Sequence, residues 1–141
     1  MRNTFYFKRV METLFSKIIS GEIPSYKVAE NNLCFAFLDI NPNTRGHVLC
    51  VPKKIVDKLF DLPEKEYLEL MSFSRRVALA IKKVIPCNRV AMSVIGLEVA
   101  HAHVHLIPLN EMDDIRFNKK VSISPEEMKE IAVSISSYFK S

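Results

Sequence analysis

Three of the four histidines of this 141-residue chain stand at alternate positions in the stretch HAHVHLIP, as His101, His103 and His105. Imidazole near neutral pH is a nucleophile, a proton donor or acceptor and a metal ligand, so the spacing matters more than the count. On an extended strand successive side chains point to opposite faces, which puts the three rings on one side and Ala102, Val104 and Leu106 on the other. The apolar set is expected to enter the core, and three readings of the imidazoles stay open. They can be polar residues of a solvated sheet face, although threonine, lysine or glutamate populate such faces more often. They can bind a metal, but the outer two side chains start roughly 13 Å apart at about 3.3 Å per residue, so one tetrahedral ion reaches two of them at most. Or they form a catalytic strip, in which one ring attacks while its neighbours hold its tautomer, supply positive charge and manage protons. That layout suits attack on phosphorus, where charge builds on non-bridging oxygens and the leaving group needs a proton.

The elements that must position such a row are legible around it. Leu14, Phe15, Ile18 and Ile19 have the spacing of a short amphipathic helix, which Gly21 and Pro24 bring to a stop. YKVAE, LCFAFLDI and HVLCVP read as strands, with turn chemistry in NPNTRG. Asp61, Pro63 and Glu64 open a long helix ended by Pro86, with Tyr67, Met71, Ala78, Ile81 and Ile85 expected along its buried stripe. NRVAMSVI and HAHVHLIP are two more strands joined through Gly96 to Ala100, and NEMDDIRFNKK is expected to be a loop. Ser124-Pro125-Glu126-Glu127 forms a capping box before a C-terminal helix that buries Met128, Ile131, Ala132, Ile135 and Phe139. The pattern is α+β: an antiparallel meander with a long helix between strands and a C-terminal helix. Residues 1–11 read as an N-terminal extension to a single domain over 12–141.

Composition narrows the function classes. Apolar residues at 48% and charged residues at 26% suit a packed globular domain. The net charge of +4 comes from scattered basic pairs, which argues against a nucleic-acid partner and asks only for a small anionic ligand. Cys34, Cys50 and Cys87 are odd in number and lack a CxxC, so no disulfide framework follows and a reducing cytoplasm is expected. No apolar run approaches the roughly 18 residues of a membrane span, and no membrane partner is expected.

HAHVHLIP also resembles the alternating-histidine signature of the histidine triad superfamily. The likeness runs from about Thr13 to Pro108, through LFSKIISGEIPSYKVAE, FAFLDINPNTRGHVLCVPKK and GLEVAHAHVHLIP in the family's order. The resemblance implies that His103 is a nucleophile that attacks an α-phosphorus to form a nucleotidyl-histidine. It further implies that His101 orients His103, that His105 contacts phosphate, and that His47 is the fourth histidine of the site. Asp39 matches the acid that binds ribose hydroxyls. Phe15, Ile18, Phe37 and Ile40 match a nucleobase pocket, with Leu14 and Leu38 beside them, and Glu98 and Val99 fall in the stretch near the phosphates. The implied partner is a purine nucleotide carrying an AMP or GMP moiety, and the implied assembly is a homodimer through the long helix and a neighbouring strand.

Two departures stand out. Relatives with structural zinc have CxxC where this chain has Thr13 and Ser16, so no metal and no cofactor are expected. Leu97 and Glu98 replace a glutamine and a small hydroxyl residue, and a carboxylate there repels an anionic substrate unless it turns away or pairs. The expected function is a nucleotide hydrolase or transferase acting on purine nucleoside phosphoramidates or related adenylylated compounds. The alternatives are a dinucleoside polyphosphate hydrolase and a nucleotide-binding regulatory module with little catalysis.

Overall fold

In chain order the computed structural model, which describes residues 12–141, runs through α1 (Leu14–Ile19), β1 (Lys27–Glu30), β2 (Cys34–Leu38), β3 (Val48–Pro52), a 3-10 turn (Leu59–Asp61), α2 (Glu64–Val84), β4 (Arg89–Ser93), β5 (Val104–Leu109), a second 3-10 turn (Met112–Ile115) and α3 (Pro125–Tyr138). The expected extension over residues 1–11 lies outside the described residues. All strand pairs are antiparallel and the sheet order is β1-β2-β3-β5-β4, so β5 inserts between β3 and the strand that precedes it in sequence. The architecture is α+β, as the pattern of elements implies.

The pleat sorts the sheet into two faces. Ala36, Leu38, Val48, Cys50, Val104 and Leu106 face a large core closed by α2 and α3, where Leu70, Phe73, Val77, Ile81, Ile131 and Ile135 pack. Phe35, Phe37, Leu49 and Val51 face the other way and pack with Phe15 and Ile18 of α1. Cys34 and Cys50 are buried free thiols, and burial raises Cys34 to about 12 and raises Cys50 as well, which disfavours the thiolate of both. Among the described residues no helix is long and apolar enough to cross a membrane.

Two helical expectations need correction. The buried residues of α2 are Leu70, Phe73, Ser74, Val77, Ala80 and Ile81, while Tyr67, Met71 and Ala78 lie at the margin. Ile81 and Ile85 of the expected stripe are buried, and the rest of the buried face turns toward the 70-73-77-80 side because α2 packs against α3 as well as against the sheet. At α3 the Ser124 hydroxyl accepts the Glu127 N–H at 3.2 Å, but Glu127 does not complete a capping box; its carboxylate pairs with Arg45 instead.

Gly46 closes the turn that leads into β3 with φ +89°, and a Cβ there would lie 2.7 Å from Ile85 Cγ1. Backbone conformation and space both exclude a side chain. Gly46→Ala is expected to destabilise the fold by roughly 2–5 kcal/mol in urea or thermal denaturation; a variant as stable as the parent would contradict this packing.

Candidate active site

The second sheet face carries a polar row at one end. Phe37, Leu49, His105 and Ser93 stand opposite one another across β2, β3, β5 and β4. Beyond the strand ends, Asp39 N–H donates to the His47 carbonyl at 3.0 Å and continues the ladder by one step. That step brings the Asp39 Oδ2 to 3.6 Å from His47 Nε2, which in turn lies 3.0 Å from His105 Nδ1. His101 and His103 are not on the strand: β5 begins only at Val104, and the preceding segment is held by His101 N–H to the Val99 carbonyl at 2.8 Å and Ala102 N–H to the Val56 carbonyl at 2.7 Å.

The solvated-face reading fails on burial. His47, His101, His103 and His105 are 1%, 0%, 6% and 8% exposed. The reason lies in α1, which lays Phe15 edge-on against His101 and His103 at ring separations of 5.7 and 4.9 Å. Thr13 caps this helix, and its hydroxyl reaches back to His101.

Each ring has a partner on one nitrogen that dictates where its proton sits. The Asn43 N–H donates to His47 Nδ1 at 3.0 Å, so the proton of neutral His47 is on Nε2 and is donated to His105 Nδ1. His105 must then carry its own proton on Nε2. His101 Nε2–H donates to the Pro52 carbonyl at 2.7 Å, so Nδ1 of the neutral ring is bare and accepts the Thr13 hydroxyl at 2.7 Å, whose oxygen in turn accepts the Ser16 N–H at 3.0 Å. His103 Nδ1–H donates to the His101 carbonyl at 2.8 Å, which leaves a bare lone pair on Nε2 of the neutral ring. Among the described residues neither His103 Nε2 nor His105 Nε2 has a hydrogen-bond partner, and neither is among the buried polar atoms lacking one, so both face outward from them. A lone pair and an N–H donor therefore stand on adjacent rings whose centroids are 5.0 Å apart.

Burial also sets the charges. It lowers His47 to about 3, with His105 and Lys120 adding to the effect, and lowers His105 to about 4, with His103 and Lys120 adding. Burial likewise lowers His101, against the opposing pull of the Pro52 carbonyl. Asp39 is raised by burial and held back by the Asn41 N–H, which its Oδ1 accepts at 2.9 Å. The Asp39–His47 approach thus meets a neutral ring and is not an ion pair. Asp39, His47 and His105 offer three donor atoms within 4.8 Å of one another. Coordination through His47 Nε2 would move the ring proton to Nδ1, directly against the Asn43 N–H, so this donor set suits a hydrogen-bond chain better than a metal ion.

The residues expected around the nucleotide divide. Phe15, Ile18 and Phe37 lie on the histidine side, Val99 packs against them, and Ile40 is 79% exposed beside Asp39. Leu38 is a correction: it points into the core under α2, because neighbours of Phe37 and Asp39 on a pleated strand face the other way. Glu98 is exposed yet near enough to raise Asp39 further, and Leu97 is 89% exposed. Sequence reasoning missed Thr13, Asn43, Phe117 and Lys120 as site residues. Phe117 packs its ring on His105 at 4.8 Å and on His47 at 6.2 Å from the segment read only as a loop; an aromatic followed by cations soon after the histidine row was the available signal.

Comparison with known proteins gives the chain its relatives. The HIT domain family matches residues 20–112. An uncharacterised HIT-like protein of Borreliella burgdorferi is 34% identical over 134 residues, covering 89% of this chain and 96% of its own. The adenosine 5'-monophosphoramidase hnt1 of Schizosaccharomyces pombe is 35% identical over 137 residues, covering 92% of this chain and 100% of its own. Among solved structures, a HIT-like protein of Bartonella henselae superposes with TM-score 0.78 at 30% identity, over 90% of this chain and 96% of that one.

Rings held neutral in the fold make it acid-sensitive. The unfolded chain binds protons at His47 and His105 near 6.5, whereas the folded chain does so only near 3 and 4. Between these values the unfolded state holds more protons, so stability is fully present above 6.5 and lost as pH falls. Asp39, shifted upward from 3.8, offsets part of this at the acid end. Thermal melting is expected to drop steadily from pH 6.5 to 4; a flat profile would mean the rings are charged in the fold.

Proposed function

The chain belongs to the HIT domain family, and from that premise we propose that it is a nucleotide hydrolase or transferase that attacks the α-phosphorus of purine nucleoside phosphoramidates or related adenylylated compounds. The observation that carries this reading is the His103 Nδ1–H on the His101 carbonyl, which leaves Nε2 unprotonated and open in the neutral ring. The likeness to the fission yeast adenosine 5'-monophosphoramidase supports the choice of a phosphorus–nitrogen bond.

In the first step His103 Nε2 attacks phosphorus, the P–N bond breaks, and the departing amine takes up a proton from water. The ring becomes a phosphorylated imidazolium that keeps its Nδ1–H on the His101 carbonyl. His105 Nε2–H donates to a non-bridging oxygen, steadied by the donation it receives from His47. In the second step water adds to phosphorus, sheds a proton, and frees the nucleoside monophosphate and neutral His103. Asp39 serves the ribose as a two-oxygen acceptor, and Phe15, Ile18, Phe37 and Ile40 serve the base. The assembly that goes with this reading is a homodimer, supported by the half-exposed Leu68 and Leu79 of α2 and by Met92 and Ile95 at and just beyond the sheet-edge strand β4.

A nucleotide-binding module with little turnover is the second reading, and the exposed Leu97 and the Glu98 carboxylate, whose charge reaches Asp39, favour it. Steady-state assay on adenosine 5'-phosphoramidate separates the two. Multiple turnovers are expected, and His103→Ala should lower turnover by at least about a thousandfold while AMP binding stays measurable. Substantial activity in that variant would reject His103 as the nucleophile, and a persistent adduct without turnover in the parent would favour the module.

A further inference from the structure

The site as built is short of positive charge. His47, His101 and His105 are held neutral, Asp39 and Glu98 are acids, and the nucleotide brings a phosphate. Phosphoryl oxygens in such a setting call for a cation. Lys120 is the nearby candidate, and it comes from beyond the residues 20–112 that the family match spans.

Its position is built. The Nζ donates to Asn43 Oδ1 at 2.7 Å and lies 4.9 Å above the Phe117 ring, the same ring that packs on His105. The segment is stitched to the turn before β3 by Val121 N–H to the Pro42 carbonyl at 3.1 Å and by Asn43 Nδ2 to the Asp114 carbonyl at 3.2 Å. Lys119 is engaged with Glu111 at 3.4 Å, whereas among the described residues Lys120 meets no carboxylate at ion-pair distance. The neutral amide uses one of three ammonium hydrogens and leaves two. The charge is felt across the site, since it lowers the proton affinity of Asp39, His47 and His105 alike.

We propose that Lys120 is a phosphate-binding residue of this site, pairing with the non-bridging phosphoryl oxygens of the bound nucleotide; the inference rests on the nucleotide reading above. Calorimetric titration of the full chain with AMP and with adenosine tests it, because the two ligands share base and ribose and differ in the phosphate. Lys120→Met and Lys120→Gln should each weaken AMP by about tenfold or more and leave adenosine within about twofold. Lys120→Arg should restore most of the AMP affinity. The Gln variant keeps a donor for Asn43, so a tethering role would spare it. Equal losses for AMP and adenosine, an unchanged AMP affinity, or full rescue by Gln would each overturn the assignment to phosphate while leaving the nucleotide reading standing. A parent protein that binds neither ligand would reject the nucleotide reading and this inference together.

Discussion

A neutral imidazole carries one proton, and in this protein the backbone decides which nitrogen has it. Asn43 presents an N–H to His47, and the carbonyl of His101 receives one from His103. These two contacts fix opposite tautomers on neighbouring rings: a donor at His105 Nε2 through His47, and an acceptor at His103 Nε2. Burial makes the supporting rings durable, because a second proton on His47, His101 or His105 has to overcome desolvation. The same burial strips those three rings of imidazolium charge, which is why the electrostatic task falls to a side chain from outside the sheet.

The scaffold achieves this with little beyond pleat and register. One face of the sheet is filled by aliphatic side chains under two helices, and the opposite face passes from Phe37 on β2 through Leu49 on β3 to His105 on β5. The short helix α1 both closes the second cluster and ties its capping threonine to His101, so the packing that dries the rings is also the packing that orients them. In such a water-poor setting each hydrogen bond is electrostatically stronger than it would be at the surface. The glycine turn before β3 and the segment after β5 grip each other at Asn43, which thereby joins a tautomer-setting N–H to a lysine anchor.

Much of the fold was legible in the sequence. The C-terminal helix announced itself by serine, proline and a clean apolar period, and the strands by short β-branched and aromatic runs bounded by turn residues. The histidines were legible as a site because their alternation is unusual, and Asp39 and His47 through their place in the resembling blocks. What stayed hidden was tertiary. That the alternating histidines begin before the strand, and that they are covered rather than solvated, depends on where α1 lands. That Leu38 turns away from its neighbours follows from the pleat, once the strand limits are known. Thr13 and Lys120 act through hydrogen bonds across 88 and 77 residues of sequence, which no local pattern encodes, and the Asn43 N–H reaches His47 only 4 residues on through a backbone contact that is independent of its side-chain type.

The most direct measurement is the imidazole nitrogen NMR spectrum of the uniformly 15N-labelled protein near neutral pH, which reports the proton position on each ring. The expected result is neutral His47, His101 and His105 with the proton on Nε2, and a distinct neutral tautomer of His103 with the proton on Nδ1 and a bare Nε2. A proton on Nε2 of neutral His103 would leave no nucleophile facing outward and would contradict the central claim.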